Sequence, residues 1–446
     1  MNTLVNGVSM RKILIFLLLF LFLTIAYAQE DEKVIAEKFI NLLVRGKYDE
    51  AVNLFDPSVK PMIPADKLEE VWKSLEKQVG SFKSILGYRT QESGGYKIVF
   101  VTCEFNAMDI DVRLVFANNK IVGMFFQPAP PRKSYTPPSY VDVNSFVEED
   151  VKIGKEFPLS GKLVIPKGKG PFPVIILVHG SGPNDMDESI GPNKPFRDIA
   201  WGLGTLGIAT LRYDKRTKVY PEKFSEYKDG FTVWEEVIED VLFAIEFLKN
   251  REDIDKSKIF VLGHSLGGML APRIATYTKD LAGLIIMAGP TRPLEDLILE
   301  QTEYLSNIDG NIDENEKAQL DVIKGEIQKI KDPNLLEKYP PNLMILGAPV
   351  KYWADLKSYD PLLTLSNLEI PALILQGERD YQVTLKDFEG WSRLSSLERI
   401  TLKLYPKLNH LFMEGEGKSI PQEYYVEGHI PEYVIKDIAE WIKSLK

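Results

Sequence analysis

A chain of 446 residues exceeds what one ordinary hydrophobic core organises, so its length predicts at least two domains. With 44% hydrophobic and 26% charged residues the composition is globular, and a net charge of −10 without a basic block disfavours nucleic acid as a partner, so none is expected. A single cysteine excludes an intrachain disulfide, and four scattered histidines with no H-x-x-x-H or C-x-x-C spacing predict neither a metal site nor a cofactor.

In chain order, the first feature is Arg11-Lys12, an apolar run from Ile13 to Leu23, and then Ala26-Tyr27-Ala28. A basic start, a short apolar core and an A-x-A site describe a secretory signal peptide over residues 1–28, cut after Ala28, and predict an exported protein, periplasmic or extracellular. The run falls short of the ~20 apolar residues of a spanning helix, so no stable membrane insertion is expected after cleavage; an uncleaved anchor is the alternative. Gln29 follows the cut where a lipid-modified chain would have cysteine, and Met10 would serve as the start as well as Met1.

Residues 32–127 read as a separate α+β block. Apolar spacing predicts helices from Val34 to Leu43, Tyr48 to Phe55 and Ala65 to Val79, the last with Leu68, Val71, Trp72, Leu75 and Val79 on one face. Four strand-like runs follow, Phe82 to Tyr88, Tyr96 to Phe105, Met108 to Phe116 and Lys120 to Phe126, with a turn at Asn118-Asn119. Cys103 lies in an alternating run and reads as a small buried apolar side chain rather than a nucleophile. Helices followed by a curled antiparallel sheet resemble the small cone-shaped fold named after nuclear transport factor 2. That resemblance implies an accessory role, in homo-oligomer formation or substrate presentation, and no chemistry. Pro128, Pro130, Pro131, Pro137 and Pro138 then predict a stiff linker over residues 128–146.

Residues 147–446 alternate strands with helices. Val151–Ile153 and Leu163–Ile165 are expected to pair antiparallel at a sheet edge. Pro173–Val178, Ile208–Tyr213, Lys258–Leu262, Leu281–Met287, Pro371–Gln376 and Ile400–Tyr405 read as buried strands. A helix from Thr232 to Asn250 opens with Thr232 and Glu235 at capping-box spacing, and a last helix runs from Tyr433 to Leu445. The pattern predicts a doubly wound, mostly parallel α/β sheet. Residues 291–362 interrupt it with helical stretches from Leu294 to Ser306 and Glu314 to Ile330 and a tail rich in Leu and aromatics around Tyr339, Leu343, Leu346, Tyr352 and Trp353. Such a tail is expected to line an apolar pocket; a solvated appendage is the alternative.

Gly263-His264-Ser265-Leu266-Gly267 stands between a strand and a helix, which places Ser265 at the tip of a sharp turn. His179-Gly180-Ser181 follows another strand, Asp380 stands just past a third and His410 past a fourth. Acids and bases beyond strand C-termini share the ligand side of an open α/β sheet. These four motifs, in this order, resemble an α/β-hydrolase of the esterase/serine-aminopeptidase type, from about Glu148 to Lys446. The resemblance implies a Ser265–Asp380–His410 triad, an oxyanion hole from the N–H groups of Ser181 and Leu266, and a lid formed by residues 291–362. The expected activity is a serine carboxylesterase passing through an acyl-serine, with a small-molecule ester as substrate. A peptidase or amidase of the same fold, and a non-catalytic binding protein, are the alternatives. His429 competes with His410 as the base, since both follow Asp380. His179 and His264 are read as shaping their turns, Asp214 and Arg216 as a salt-bridged loop; Pro272 inside the helix has no account.

Overall fold

Alternate residues Val99, Val101, Cys103 and Phe105 are buried, and the strand that carries them is an inner strand of a four-stranded antiparallel meander. The computed structural model describes residues 32–445 except 94, 131–134 and 309; the chain divides between residues 133 and 134 into two compact units. The expected signal peptide lies outside the described residues, as does part of the expected linker.

In the first unit α1 (32–44), α2 (Tyr48–Val52) and α3 (Ala65–Val79) precede β1 (Phe82–Ser93), β2 (Tyr96–Phe105), β3 (Asp109–Ala117) and β4 (Lys120–Pro128). The apolar face of α3, with Leu68, Trp72, Leu75 and Val79, closes over the sheet, and the rings of Trp72 and Phe105 lie 5.7 Å apart. Asn118 and Asn119 both take positive φ, the conformation a two-residue hairpin needs and Asn tolerates. Cys103 is fully buried, and burial, with Asp111 nearby, pushes its thiol up to about 12.

The second unit is built on an eight-stranded sheet of β5 (Phe146–Ile153), β6 (Leu159–Pro166), β7 (Phe172–Val178), β8 (Ala209–Tyr213), β9 (Ile254–His264), β10 (Leu281–Met287), β13 (Ala372–Gly377) and β14 (Ile400–Tyr405). The order is β14-β13-β10-β9-β7-β8-β6-β5, parallel from β14 to β8, with β6 and β5 antiparallel at one edge. Successive residues of β7 face opposite layers: Val174, Ile176 and Val178 join one core, Ile175 and Leu177 the other. Both faces are therefore apolar, as a sheet covered on two sides requires. α4 (Pro195–Thr205) and α15 (Glu432–Ser444) cover one face; α7 (Glu239–Lys249) and α8 (Leu266–Thr276) cover the other. This is the doubly wound, mostly parallel sheet that the strand and helix alternation predicts, and the α/β-hydrolase architecture that the motif resemblance implies.

Short α5 (Arg216–Val219) and α6 (Pro221–Glu226) follow β8. The helix expected from Thr232 opens as a π-turn, Trp234–Ile238, before continuing as α7. Glu235 still reaches back to the Thr232 N–H at 2.8 Å, so the capping chemistry holds while the first turn is wider. Single π-turns of this kind are frequent at functional sites, and Glu236 lies within this one. Between β10 and β13 the insertion folds as α9 (Leu294–Ser306), α10 (Glu314–Lys331), α11 (Leu335–Lys338), a hairpin of β11 (Met344–Ile345) and β12 (Ala348–Pro349), α12 (Val350–Lys357) and α13 (Pro361–Asn367). α14 (Leu385–Ser392) separates β13 from β14.

Candidate active site

Strand order brings the site together. After β7 the chain crosses to β8 on one side and returns to β9 on the other, so the loops leaving β7 and β9 diverge from adjacent strand ends, the crevice where α/β sheets take ligands. Ser265 follows β9 directly with φ 53° and ψ −118°, a strained conformation for a residue with a side chain. The flanking glycines serve by close approach and not by unusual dihedrals. A Cβ at Gly263 would stand 2.1 Å from the carbonyl oxygen of Gly267, and one at Gly267 2.3 Å from that of Val178. Ser265 is half-buried, and the first turn of α8 begins beside it at Leu266.

Asp380 and His410 emerge beyond β13 and β14. Nδ1 of His410 donates to Oδ2 of Asp380 at 2.7 Å. The other carboxylate oxygen accepts from the N–H groups of Gln382 (2.8 Å) and Val383 (2.9 Å), and Gln376 Nε2 lies 3.2 Å from Oδ2. Asp380 is thus fixed as an acceptor and the imidazole is held in one tautomer with Nε2 turned away. Asn409 shapes the loop: its side-chain oxygen accepts from the N–H groups of Leu411 and Met413. His264, next to Ser265, ties this loop to the serine turn. Its Nε2–H donates to the carbonyl of His410 at 2.9 Å, and the two rings lie 4.7 Å apart.

The other ring nitrogen of His264 is 2.9 Å from Glu188 Oε2, close enough for an ion pair but out of hydrogen-bond alignment. Burial works against a charge on His264, but Glu188 and the His410 carbonyl outweigh it and raise its pKa above the ordinary imidazole value. Glu188, equally buried, is held below the usual carboxylate range because His264 and the Gly180 N–H overcome the penalty of burial. His179 goes the other way: burial pushes it down to about 4, and it sits neutral between Phe196 and Tyr213 with Nε2 on the carbonyl of Asp185. Both histidines shape turns, as expected. His429 is elsewhere, its Nδ1 3.1 Å from Asp198 Oδ1, beside Tyr135. A cavity of about 590 Å³ near His429, lined by Tyr140, Glu414 and Pro431, contains none of the residues around Ser265.

Ser265 instead opens into a cavity of about 490 Å³. Ser181 and Gly182 line it from the loop after β7, and Gly180 packs against the serine so tightly that a Cβ there would be 3.0 Å from that of Ser265. The walls are apolar: Phe224 and Phe231 from the segment after β8, and Leu294, Leu297, Ile298, Leu346, Tyr352 and Trp353 from the insertion. Glu236 is the one carboxylate among the lining residues, and it is engaged by Lys215 at 2.6 Å and by the Tyr352 hydroxyl. Neither the N–H of Ser181 nor that of Leu266 meets an acceptor among the described residues. Among those residues no three His, Cys, Asp or Glu side chains converge as a metal site requires.

Two residues beside the site were not legible as such. Glu188 and Lys215 stand in polar loop sequences, Asp187-Glu188-Ser189 and Asp214-Lys215-Arg216, whose burial is decided by distant elements. The loop reading of Asp214 and Arg216 needs correction in its pairing. Asp214 accepts from the N–H of Met186, whereas buried Arg216 pairs with Asp240 and Glu239. Arg216 is aimed at α7 by its place in α5, and only the folded chain sets that direction.

Residues 173–417 match the family model described as serine aminopeptidase, S33, and residues 36–124 match one described as a protein of unknown function (DUF3887). Esterase EstD of Thermotoga maritima is 41% identical over 433 residues, covering 97% of this chain and 99% of the relative. The acylamino-acid-releasing enzyme of Rattus norvegicus is 21% identical over 57% of this chain and 30% of its own. Among solved structures, Est1E from Butyrivibrio proteoclasticus has 17% identity and a TM-score of 0.43, over 66% of this chain and 98% of that one.

Proposed function

This chain belongs to the serine aminopeptidase S33 family of serine hydrolases, and on that premise we propose that it is a carboxylesterase working through an acyl-serine intermediate. The observation that carries the choice of an ester is the cavity beside Ser265, apolar throughout most of its wall, with its single carboxylate already engaged by Lys215. An aminopeptidase site needs a free acid for the substrate's ammonium, and Glu236 is not free to serve as one. The 41% identity to an esterase over almost the whole chain supports the same reading.

In this mechanism Ser265 Oγ attacks the ester carbonyl while His410 Nε2 takes its proton, and Asp380 stabilises the imidazolium that forms. The tetrahedral oxyanion is received by the N–H groups of Ser181 and Leu266, the second reinforced by the start of α8. Collapse breaks the C–O bond to the alcohol, which leaves with the proton from His410. Water then attacks the acyl-serine, again with His410 as base, and releases the acid.

Turnover of p-nitrophenyl esters of increasing acyl length beside aminoacyl and N-acyl-aminoacyl amides, with Ser265→Ala as control, tests the reading. Ester hydrolysis that disappears with the serine is expected. Amide cleavage without ester cleavage would replace it with the peptidase, and no turnover in either class would favour a binding protein.

A further inference from the structure

Gly180 is held on both sides by buried charged groups. Its N–H donates to Glu188 Oε1 at 2.7 Å, and its carbonyl oxygen accepts from Lys215 Nζ at 2.8 Å and from Asn184 Nδ2 at 3.3 Å. That carbonyl belongs to the peptide unit whose nitrogen is Ser181 N. In a planar trans peptide C=O and N–H point in opposite directions, so whatever fixes the Gly180 oxygen also aims the Ser181 N–H. Gly180 itself, lacking a side chain, offers little resistance to rotation of this unit. The Gly180 carbonyl faces Lys215 in the protein interior, and Ser181 lines the cavity of Ser265.

We propose that Lys215 is a positioning residue for the oxyanion site: by gripping the Gly180 carbonyl, its ammonium turns the Ser181 N–H toward the bound ester carbonyl and holds it there. The inference rests on the esterase reading above. Lys215 is 2% exposed, and its second partner, Glu236, balances its charge at 2.6 Å. A buried ion pair is weak as a stabilising device, since apolar replacement of both partners is often neutral or favourable. The pair supplies instead a cation delivered to one backbone oxygen by a side chain that cannot swing into water. A positive charge on the carbonyl also polarises the peptide and strengthens its N–H as a donor. Asn184, which bonds the Gly180, Ser181 and Gly182 carbonyls within its own loop, shapes the turn but brings no charge to it.

The test uses the full chain carrying Lys215→Met, and the double variant Lys215→Met/Glu236→Met, which leaves no unpaired buried charge. Three readouts are taken: ester kcat and KM, the inhibition constant of an alkyl trifluoromethyl ketone, which forms a serine hemiketal with a real oxyanion, and Tm. Loss of one oxyanion donor elsewhere lowers kcat by about 10²–10³, so misaiming one should lower it by roughly 10–100-fold. The ketone should weaken by the same factor, with KM within about threefold and the double variant's Tm close to that of the unsubstituted chain. A merely structural role would move Tm or the active fraction but would not make kcat and ketone affinity fall together. A folded double variant with kcat and ketone affinity both within threefold of the unsubstituted enzyme would overturn the assignment, whether or not the single variant folds. If the unsubstituted enzyme hydrolyses no ester yet binds the ketone at Ser265, the esterase reading fails and the ketone comparison still decides on Lys215. No ketone binding by the unsubstituted enzyme would sink both.

Discussion

Replacing His410 and His429 one at a time separates two Asp–His pairs, one buried and one part-exposed, whose histidines both follow Asp380 in the chain. His410 is almost fully buried, bonds Asp380 at 2.7 Å, and reaches the serine turn through His264. In the proposed mechanism His410→Ala removes both proton transfers, so kcat should fall by roughly 10⁴–10⁶. Asp380 keeps its two N–H donors and Gln376, so the fold should survive the substitution. His429 offers Asp198 a charge-assisted bond at 3.1 Å and is part-exposed, which sets its contribution at about 1–2 kcal/mol of stability and nothing to the chemistry. The Asp198 hydrogen bond raises the His429 pKa above its ordinary value, burial opposing. A raised folded-state value means the stabilisation is fully present below about pH 6.5 and is lost as pH climbs through the folded value. His429→Ala should therefore lower Tm at pH 5.5 and much less at pH 8.5, with kcat within about tenfold at both. Ester titration for kcat and scanning calorimetry at the two pH values decide it. Inactivity of His429→Ala beside an active His410→Ala would refute the assignment of the base, and an equal Tm deficit at both pH values would refute the linkage.

Asp380→Asn should lower kcat by about 10³–10⁴ through loss of the correct tautomer of His410 while leaving KM nearly unchanged, measured on the best ester. Leu346, half-buried at φ 46° and lining the cavity, is the position to change specificity: Leu346→Gly relieves the backbone and lengthens the pocket, so preference in an ester series should move to longer acyl chains at little cost in Tm. Trp353→Ala should instead cost about 3–5 kcal/mol in urea unfolding, because the ring is 2% exposed and its Nε1–H bonds the Ile345 carbonyl. Cys103 should resist thiol reagents at pH 8 in the folded protein and react at once in denaturant, read by absorbance of the released thiolate. Export by a bacterial host should yield an intact mass beginning at Gln29; a membrane-bound product retaining residues 1–28 would refute the cleavage.

Local signals were strong wherever a short segment decides its own structure. The runs around Val174, Leu262, Ile285 and Leu373 are apolar at every position because both sheet faces are covered, and this marks parallel strands without any alignment. Ser265 was legible because a sharp strand-to-helix turn needs glycine at fixed offsets. His410 could be ranked above His429 only by its position after a strand. The partners Glu188 and Lys215 were hidden for a physical reason. A charged residue in a loop is usually solvated, and nothing in the flanking residues says that loops from three strands will close over it. The π-turn at Trp234–Ile238 was hidden likewise, since its residues have ordinary helical preferences. Trp353 lines the pocket, as an aromatic in the insertion suggests, but it is also core, which its local sequence does not reveal.

That double membership constrains how a substrate reaches the serine. Ile345, Val350, Tyr352, Trp353 and Leu356 are buried in the same cluster as Val261 and Ile286 of the central strands. Swinging the insertion away as a rigid flap would strip water-excluded surface from all five, at about 1.5–3 kcal/mol each. The sum, about 7–15 kcal/mol, matches the whole stability of an ordinary domain, so such a motion would be indistinguishable from unfolding. Leu346 and Gly347, between β11 and β12, both hold positive φ and both line the cavity, with Gly347 exposed. The side of the pocket built by the insertion is thus a fixed wall of the fold rather than a hinged cover over Ser265.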